Sequence, residues 1–238
     1  MMTVFRKSRN RGLWLLSLLL LLTPVWAMAG TNPPLEIPVV LSGDYQVGNL
    51  NAPGSAPVPG IFNGEEEYAY HIFPAEQSDC SEDGFILESI TQLLFFEDSQ
   101  VPVTLMVQAA LLKAEFDPAS GCWVPGPVLY DSPQEIIMIT DNGPATIKVL
   151  TPGIPVFPLL DHYFLVLRYQ GGSDALLVVD DQPMACTEFI NRGNGWEDLY
   201  GRDKSGGGKV IVFGDIVCAP MAVPTVENNW DRIKSLYK

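Results

Sequence analysis

The sequence predicts an all-β fold, a jelly-roll-like β-sandwich in one domain, with an N-terminal signal peptide and a short C-terminal helix. Three observations carry that prediction. Apolar residues alternate at period two in short runs, the clearest being Val101, Val103, Leu105, Val107, Ala109 and Leu111. Clusters of Gly, Pro, Asn and Asp break the runs at close intervals. Four cysteines stand in a chain that opens with an export signal, a combination expected of a disulfide-stabilised extracellular domain.

The leader comes first. Arg6, Lys7, Arg9 and Arg11 form a basic region, the run from Leu13 to Leu22 is apolar, and Ala27-Met28-Ala29 offers the small-x-small pattern that signal peptidase cuts after. The rival reading is an uncleaved anchor, but the run is short of the roughly 20 residues a span needs. Cleavage after Ala29 is therefore expected, with export to the extracellular space or cell envelope and no transmembrane span in the mature form. The chain has 14 Lys+Arg and 28 Asp+Glu, and the leader holds four of the bases and no acids. The mature chain thus keeps 10 basic and 28 acidic residues, a net charge of −18. Such a surface repels nucleic acid and anionic lipid.

Residues 30–64 are rich in proline and small residues and read as an extended linker, in which Leu35–Leu41 has the pattern of an edge strand. The sandwich is expected over residues 65–219. Glu67–Phe73 alternates and is the first convincing strand. Residues 85–96 and 101–112 organise the domain as a strand pair, read as a hairpin turning at Glu97-Asp98-Ser99-Gln100. A helix competes there, since Gln108–Glu115 has high helix propensity and Ile86, Ile90, Leu93 and Leu94 fit a helical stripe, but sheet context overrides propensity. A turn is expected at Trp123–Pro127, and short strands at Val128–Asp131, Glu135–Thr140 and Ala145–Leu150. His162–Tyr169 is apolar on both faces, as a central strand should be. Gly171-Gly172 then turns the chain into Ala175–Val179, and Val210–Val217 closes the domain.

Cys80, Cys122, Cys186 and Cys218 are expected to form two disulfides, since no Cys-x-x-Cys spacing suits a metal. Three pairings are possible. The hairpin register places Cys80 near Asp117, which favours Cys80–Cys122 and hence Cys186–Cys218.

From Tyr68 to Val217 the chain resembles the secreted, lectin-like jelly-roll modules appended to bacterial extracellular proteins. The resemblance rests on the early apolar strand pair, Pro125-Gly126-Pro127-Val128-Leu129, a strand ending in Asp180-Asp181, Gly193–Leu199 with Trp196 and Asp198, and the strand Lys209–Phe213. It implies a jelly roll with interaction or processing roles more often than catalysis.

Chemistry-bearing motifs are few. His71 and His162 are the two histidines, so His-Glu-x-x-His is absent, and there is no Gly-x-Ser-x-Gly elbow. His71 lies in an aromatic strand and reads as packed or hydrogen-bonded, while His162 reads as a strand end. Gly201–Lys209 has its lysine misplaced for a phosphate loop and reads as a flexible hairpin loop. No cofactor is implied, although structural calcium has candidate ligands in Asp79, Glu82 and Asp83 beside Cys80, and in Asp180 and Asp181. Trp196 and Asp198 have the composition of a sugar site, an aromatic ring beside a carboxylate. Against that, Trp196 can plug the sandwich end while Asp198 caps the loop.

Residues 220–238 form a proline-containing linker and an amphipathic tail. Trp230, Ile233, Leu236 and Tyr237 share one helical face, and Arg232, Lys234 and Lys238 concentrate basic charge in the last seven positions. The tail resembles the Trp-x-x-Ile-Lys-x-x-Tyr endings of otherwise unrelated secreted bacterial proteins. That resemblance implies sorting or docking, with Trp230, Ile233, Lys234 and Tyr237 as recognition residues for sorting machinery or an envelope component. The alternative is a helix lying on the sandwich. The expected function is a secreted non-catalytic binding or surface-structural module whose partner is an extracellular protein or glycan. The alternative from another class is a secreted, carboxylate-based glycosidase-like hydrolase.

Overall fold

The computed structural model describes residues 45–50, 54–77, 80, 84–171, 175–200 and 208–219. The leader, the 35–41 strand candidate, the 201–207 loop, Asp79, Glu82, Asp83 and the C-terminal tail lie outside the described residues. The described strands are β1 Tyr45–Gly48, β2 Ala56–Val58, β3 Glu67–Ile72, β4 Gly84–Phe96 and β5 Val103–Asp117. They continue with β6 Cys122–Asp131, β7 Glu135–Ile139, β8 Gly143–Leu150, β9 Phe157–Pro158 and β10 Tyr163–Gln170. β11 Leu176–Val179, β12 Glu188–Asn191, β13 Trp196–Asp198 and β14 Val212–Ala219 complete the set. No helix among the described residues is long and apolar enough to cross a membrane.

The strands make two antiparallel sheets, so the molecule is the expected all-β sandwich. Sheet I runs β1-β14-β4-β11-β2, with β8 and β9 on the other edge of β4. Sheet II runs β13-β12-β3-β10-β5-β6, with β7 beside β6 on the outer edge of β5. Inward-facing Leu87, Ile90 and Leu94 of β4 share one core with Leu105, Val107 and Leu111 of β5 and Leu165 and Leu167 of β10. Each such side chain, fully buried, stabilises by roughly 1.5–3 kcal/mol before entropy is counted. At Gly214 of β14 a Cβ would lie 2.6 Å from Leu87 Cδ1 of the same sheet and 3.3 Å from Leu165 Cδ1 of the facing sheet, so a side chain there would crowd the shared core.

β10 is central as its two apolar faces predict, lying between β3 and β5, with Phe164 opposite both His71 and Leu112. β3, β7 and β8 also fall where alternation places them. The hairpin at 97–100, however, does not exist. β4 is in sheet I and β5 in sheet II, so the chain arches from one sheet to the other through the 3-10 turn Asp98–Gln100. Both strands are long and apolar on both faces, and each takes neighbours on both edges within its own sheet. β10 and β11 are likewise split between the sheets.

The expected turn at Trp123–Pro127 is also a correction, because β6 runs straight through it. Among the described residues β6 pairs with β5 alone, and prolines are tolerated at such an edge. Two register shifts absorb the irregularity, and Gly126 lets the backbones meet: a Cβ there would be 2.8 Å from the Lys113 carbonyl. The turn falls earlier, at Asp117–Gly121, where the Asp117 carboxylate accepts from Ala119 and Ser120 N–H. Residues expected as linker hold β1, which pairs with β14, and β2, which pairs with β11.

The disulfides pair differently from the expectation. Cys80 joins Cys218 and Cys122 joins Cys186, each with Cα atoms 5.3 Å apart. The error follows from the false hairpin. Cys80 lies in the connection between β3 and β4 and therefore meets the end of β14, which runs beside the start of β4. Cys122 opens β6 on the outer side of sheet II and meets the segment leading into β12.

Candidate functional site

Outward-facing residues of sheet II do not carry the polar pattern of a solvated sheet face. Ala69 of β3, Phe164 and Val166 of β10, Ala110, Leu112 and Ala114 of β5 and Phe189 of β12 form a second buried cluster with Cys122. Cys186, Trp123, Val124 and Trp196 pack against it, half-buried. The Cys122–Cys186 bridge therefore straps the 180–187 connection across this face. Cys186 takes a left-handed backbone, φ 61°, and its N–H donates to Asp198 Oδ2 at 3.0 Å.

Both histidines sit at one end of this cluster. Period two puts His71 and Phe73 on the same face of β3, and His162 in line with Phe164 of β10. The β3–β10 register then brings the two together: His71 Nε2 lies 2.9 Å from His162 Nδ1. His71 is buried, stacked on Phe164 at 4.9 Å and tilted against Phe73 at 4.1 Å. His162 is half-buried, and Trp123 of β6 stacks on it face to face at 4.1 Å and 14°. Phe116, 53% exposed, meets Trp123 edge-on at 5.5 Å. The result is an aromatic ledge at the solvent margin, Phe116–Trp123–His162, backed by a buried imidazole.

Burial, then the neighbouring His162, drives the His71 pKa down to about 4, with the Cys186 backbone opposing as an acceptor. Burial also lowers that of His162, and Asp161 works in the other direction. Both rings are accordingly neutral at pH 7, so the ledge is uncharged. It offers ring faces and imidazole nitrogens for stacking and hydrogen bonding.

Trp196 and Asp198 lie on β13, at the far flank of the same cluster. Trp196 is half-buried against it, and the Asp198 carboxylate accepts from the backbone N–H of both Cys186 and Tyr200. Among the described residues, those oxygens hold a loop. Asp180 is buried, with Oδ1 accepting from Gln182 N–H at 2.8 Å and Lys209 N–H at 2.6 Å, and Oδ2 from Asn49 Nδ2 at 3.1 Å. These donors occupy the oxygens a calcium ion would use, while Asp181 is exposed. The Cys122 and Cys186 sulfurs and the Asp198 carboxylate gather within 4.8 Å of one another, but the sulfurs are bonded to each other and offer no thiolate. Asp79, Glu82, Asp83, Trp230, Ile233, Lys234 and Tyr237 lie outside the described residues.

A separate cleft of about 820 Å³ opens at one end of the sandwich, lined by Phe62, Asn63, Glu97, Gln100, Val103 and Leu176 among others. Glu97 and Gln100 engage each other across their turn, with Glu97 N–H donating to Gln100 Oε1 at 2.7 Å. Glu97 is the one acid among the described lining residues.

No family model matches the sequence, and no curated protein matches it. Among solved structures it is similar to the crystal structure of the cysteine protease and lectin-like domains of Cwp84, a surface layer associated protein of Clostridium difficile. Identity is 14% and the TM-score 0.37, over 69% of this chain and 36% of that one. The chain thus spans about a third of that structure's length.

Proposed function

We propose that this chain is an exported, non-catalytic binding module that holds an extracellular glycan or protein on the ledge formed by Phe116, Trp123 and His162. One observation carries the reading: a flat stack of indole on imidazole, uncharged at neutral pH, stands half-open to solvent instead of being sealed into the core. An aromatic face beside hydrogen-bonding nitrogens suits a ring that is apolar on its faces and polar at its rim, as sugars are. Two disulfides support life in an oxidising compartment, consistent with export and removal of the leader after Ala29. The jelly-roll module resemblance points the same way. The C-terminal segment, basic in an otherwise acidic chain, serves as a recognition tail for sorting machinery or an envelope component.

Glycan-array and pull-down profiling of the secreted protein tests the ledge. Trp123→Ala is expected to lower binding by at least tenfold, while Trp196→Ala leaves it within twofold. Equal losses from both variants would move the site to the β13 flank, and unchanged binding by Trp123→Ala would remove the ledge from consideration. For the tail, deletion of residues 226–238 is expected to leave thermal unfolding nearly unchanged while altering where the protein accumulates. A lower melting temperature with normal retention would make the segment a structural strap.

A further inference from the structure

The edge of a β-sheet presents unpaired backbone groups, and soluble proteins blunt such edges with proline, lysine, a register shift or a short strand. The described edges follow that rule with one exception. β6 carries Pro125, Pro127 and two register shifts, and β8 carries Pro144 and Lys148. β1, β2, β9 and β13 are at most four residues long. β7 is different. Its five residues, Glu135-Ile136-Ile137-Met138-Ile139, contain no proline or lysine and pair with β5 in unbroken register.

Among the described residues β5 is the one strand that pairs with β7. The N–H and C=O groups of alternate β7 residues therefore point to an edge that meets no strand. Ile137 and Ile139 pack against the sandwich core, which turns Ile136 and Met138 to the outer face. These two are 73% and 68% exposed, the highest values among the described large hydrophobic residues.

Charge narrows what can lie along this edge. Glu135 stands at its start, where the carboxylate accepts from Leu150 N–H at 3.1 Å. Asp141 and Asp98 stand past its end, with Asn142 Nδ2 donating to Asp98 Oδ1. None of these three carboxylates takes part in an ion pair among the described residues. Residues 131–143 contain no Lys or Arg. A second copy is a poor fit: antiparallel pairing about Ile137 sets the Glu135 end of each chain against the Asp141 end of the other. Two mature chains of net charge −18 also repel at longer range.

We propose that the open edge of β7 is a docking site for a protein partner, which adds an extended segment to sheet II as a further strand. Backbone hydrogen bonds supply the pairing. Charge complementarity sets the segment's chemistry: apolar residues alternate beside Ile136 and Met138, and Lys or Arg stands at each end, against Glu135 and against Asp98 and Asp141. The site goes beyond the ledge and does not depend on it. Phe116, opposite Trp123, is nine residues along β5 from Val107, opposite Glu135, a separation of about 30 Å.

The secreted protein is titrated with the capped peptide KKVTVTVKK, with EEVTVTVEE as acidic control. The basic peptide is expected to bind at least tenfold more tightly than the acidic one and to slow amide exchange of residues 135–139. N-methylation of its valines or of its threonines blocks one backbone edge at a time, and one of the two forms is expected to lose at least tenfold. Met138→Lys and Ile136→Lys place a base at exposed positions that a stable fold tolerates, and each is expected to weaken binding by at least tenfold. Trp123→Ala is expected to leave it within twofold. No binding, equal affinity for the two peptides, undiminished binding of both methylated forms, or indifference to both lysine variants would overturn the inference. So would loss on Trp123→Ala, which would put the peptide on the ledge. A dimer dissolved by Met138→Lys would assign the edge to a second copy, and tighter peptide binding after deletion of residues 226–238 would assign it to the chain's own basic tail. Either result overturns the proposal of a separate partner and leaves the glycan test of the ledge untouched.

Discussion

The two faces of sheet II are both buried, yet they are built from different materials. The inner face is aliphatic, with Leu105, Val107, Leu111, Leu165 and Leu167 closed against sheet I. Alanines, aromatic rings, the two histidines and a disulfide make up the outer face, which is covered by connections instead of a second sheet. A sandwich requires one apolar face per sheet. The second face is where apolar and polar groups meet at a solvent margin, and such a margin is where a half-buried ring keeps both a packing partner and an exposed edge. Aliphatic packing is therefore concentrated on one side of β5 and β10, and the half-open aromatic ledge lies on the other.

The largest test of that division is on the inner face. Leu105→Ala, read by denaturant unfolding, is expected to cost roughly 2–5 kcal/mol without disturbing the His71–His162 pair. A loss below about 0.5 kcal/mol would mean that the inner face is not the stabilising one.

Acid is expected to act on the outer face. The pKa of His71 falls from an ordinary 6.5 to about 4 on folding. Above pH 6.5 the ring is neutral in both folded and unfolded chains, and its contribution is fully present. As the pH falls from 6.5 toward 4, the unfolded chain takes up a proton that the folded one refuses, so stability is lost across that window. The loss is at most about 3 kcal/mol at its lower end. His71→Phe is expected to flatten the stability curve between pH 6.5 and 4 relative to the parent. Parallel curves would mean that the buried imidazole is not what acid attacks.

The smallest effect belongs to the flank. Asp198→Ala removes the acceptor for Cys186 and Tyr200 N–H and is expected to cost about 1 kcal/mol. If it also abolished glycan binding while Trp123→Ala did not, the functional margin would lie at β13 and the assignment of the ledge would be reversed.

Much of the fold was legible in the sequence because alternation is a local signal. A strand's two faces are written in its own residues, so β3, β5, β7, β8 and β10 and the central place of β10 could all be read directly. Gly126 and the prolines around it read as a turn because an edge strand's tolerance for them depends on having no neighbour, a fact held elsewhere in the chain. Pairing was beyond reach for a physical reason: backbone ladders use the same N–H and C=O groups whatever the side chains, so two apolar strands joined by four polar residues serve equally as a hairpin or as an arch between sheets. Tertiary structure settled that choice, and the disulfide partners of Cys80 and Cys122 changed with it. The site followed the same rule. His71-Ile-Phe73 and His162-Tyr-Phe164 each show a histidine two residues from a phenylalanine on one face, which is the local trace of the cluster. That the two stand 91 residues apart yet 2.9 Å from each other, with Trp123 laid over the second, was decided by the β3–β10–β5–β6 order of sheet II.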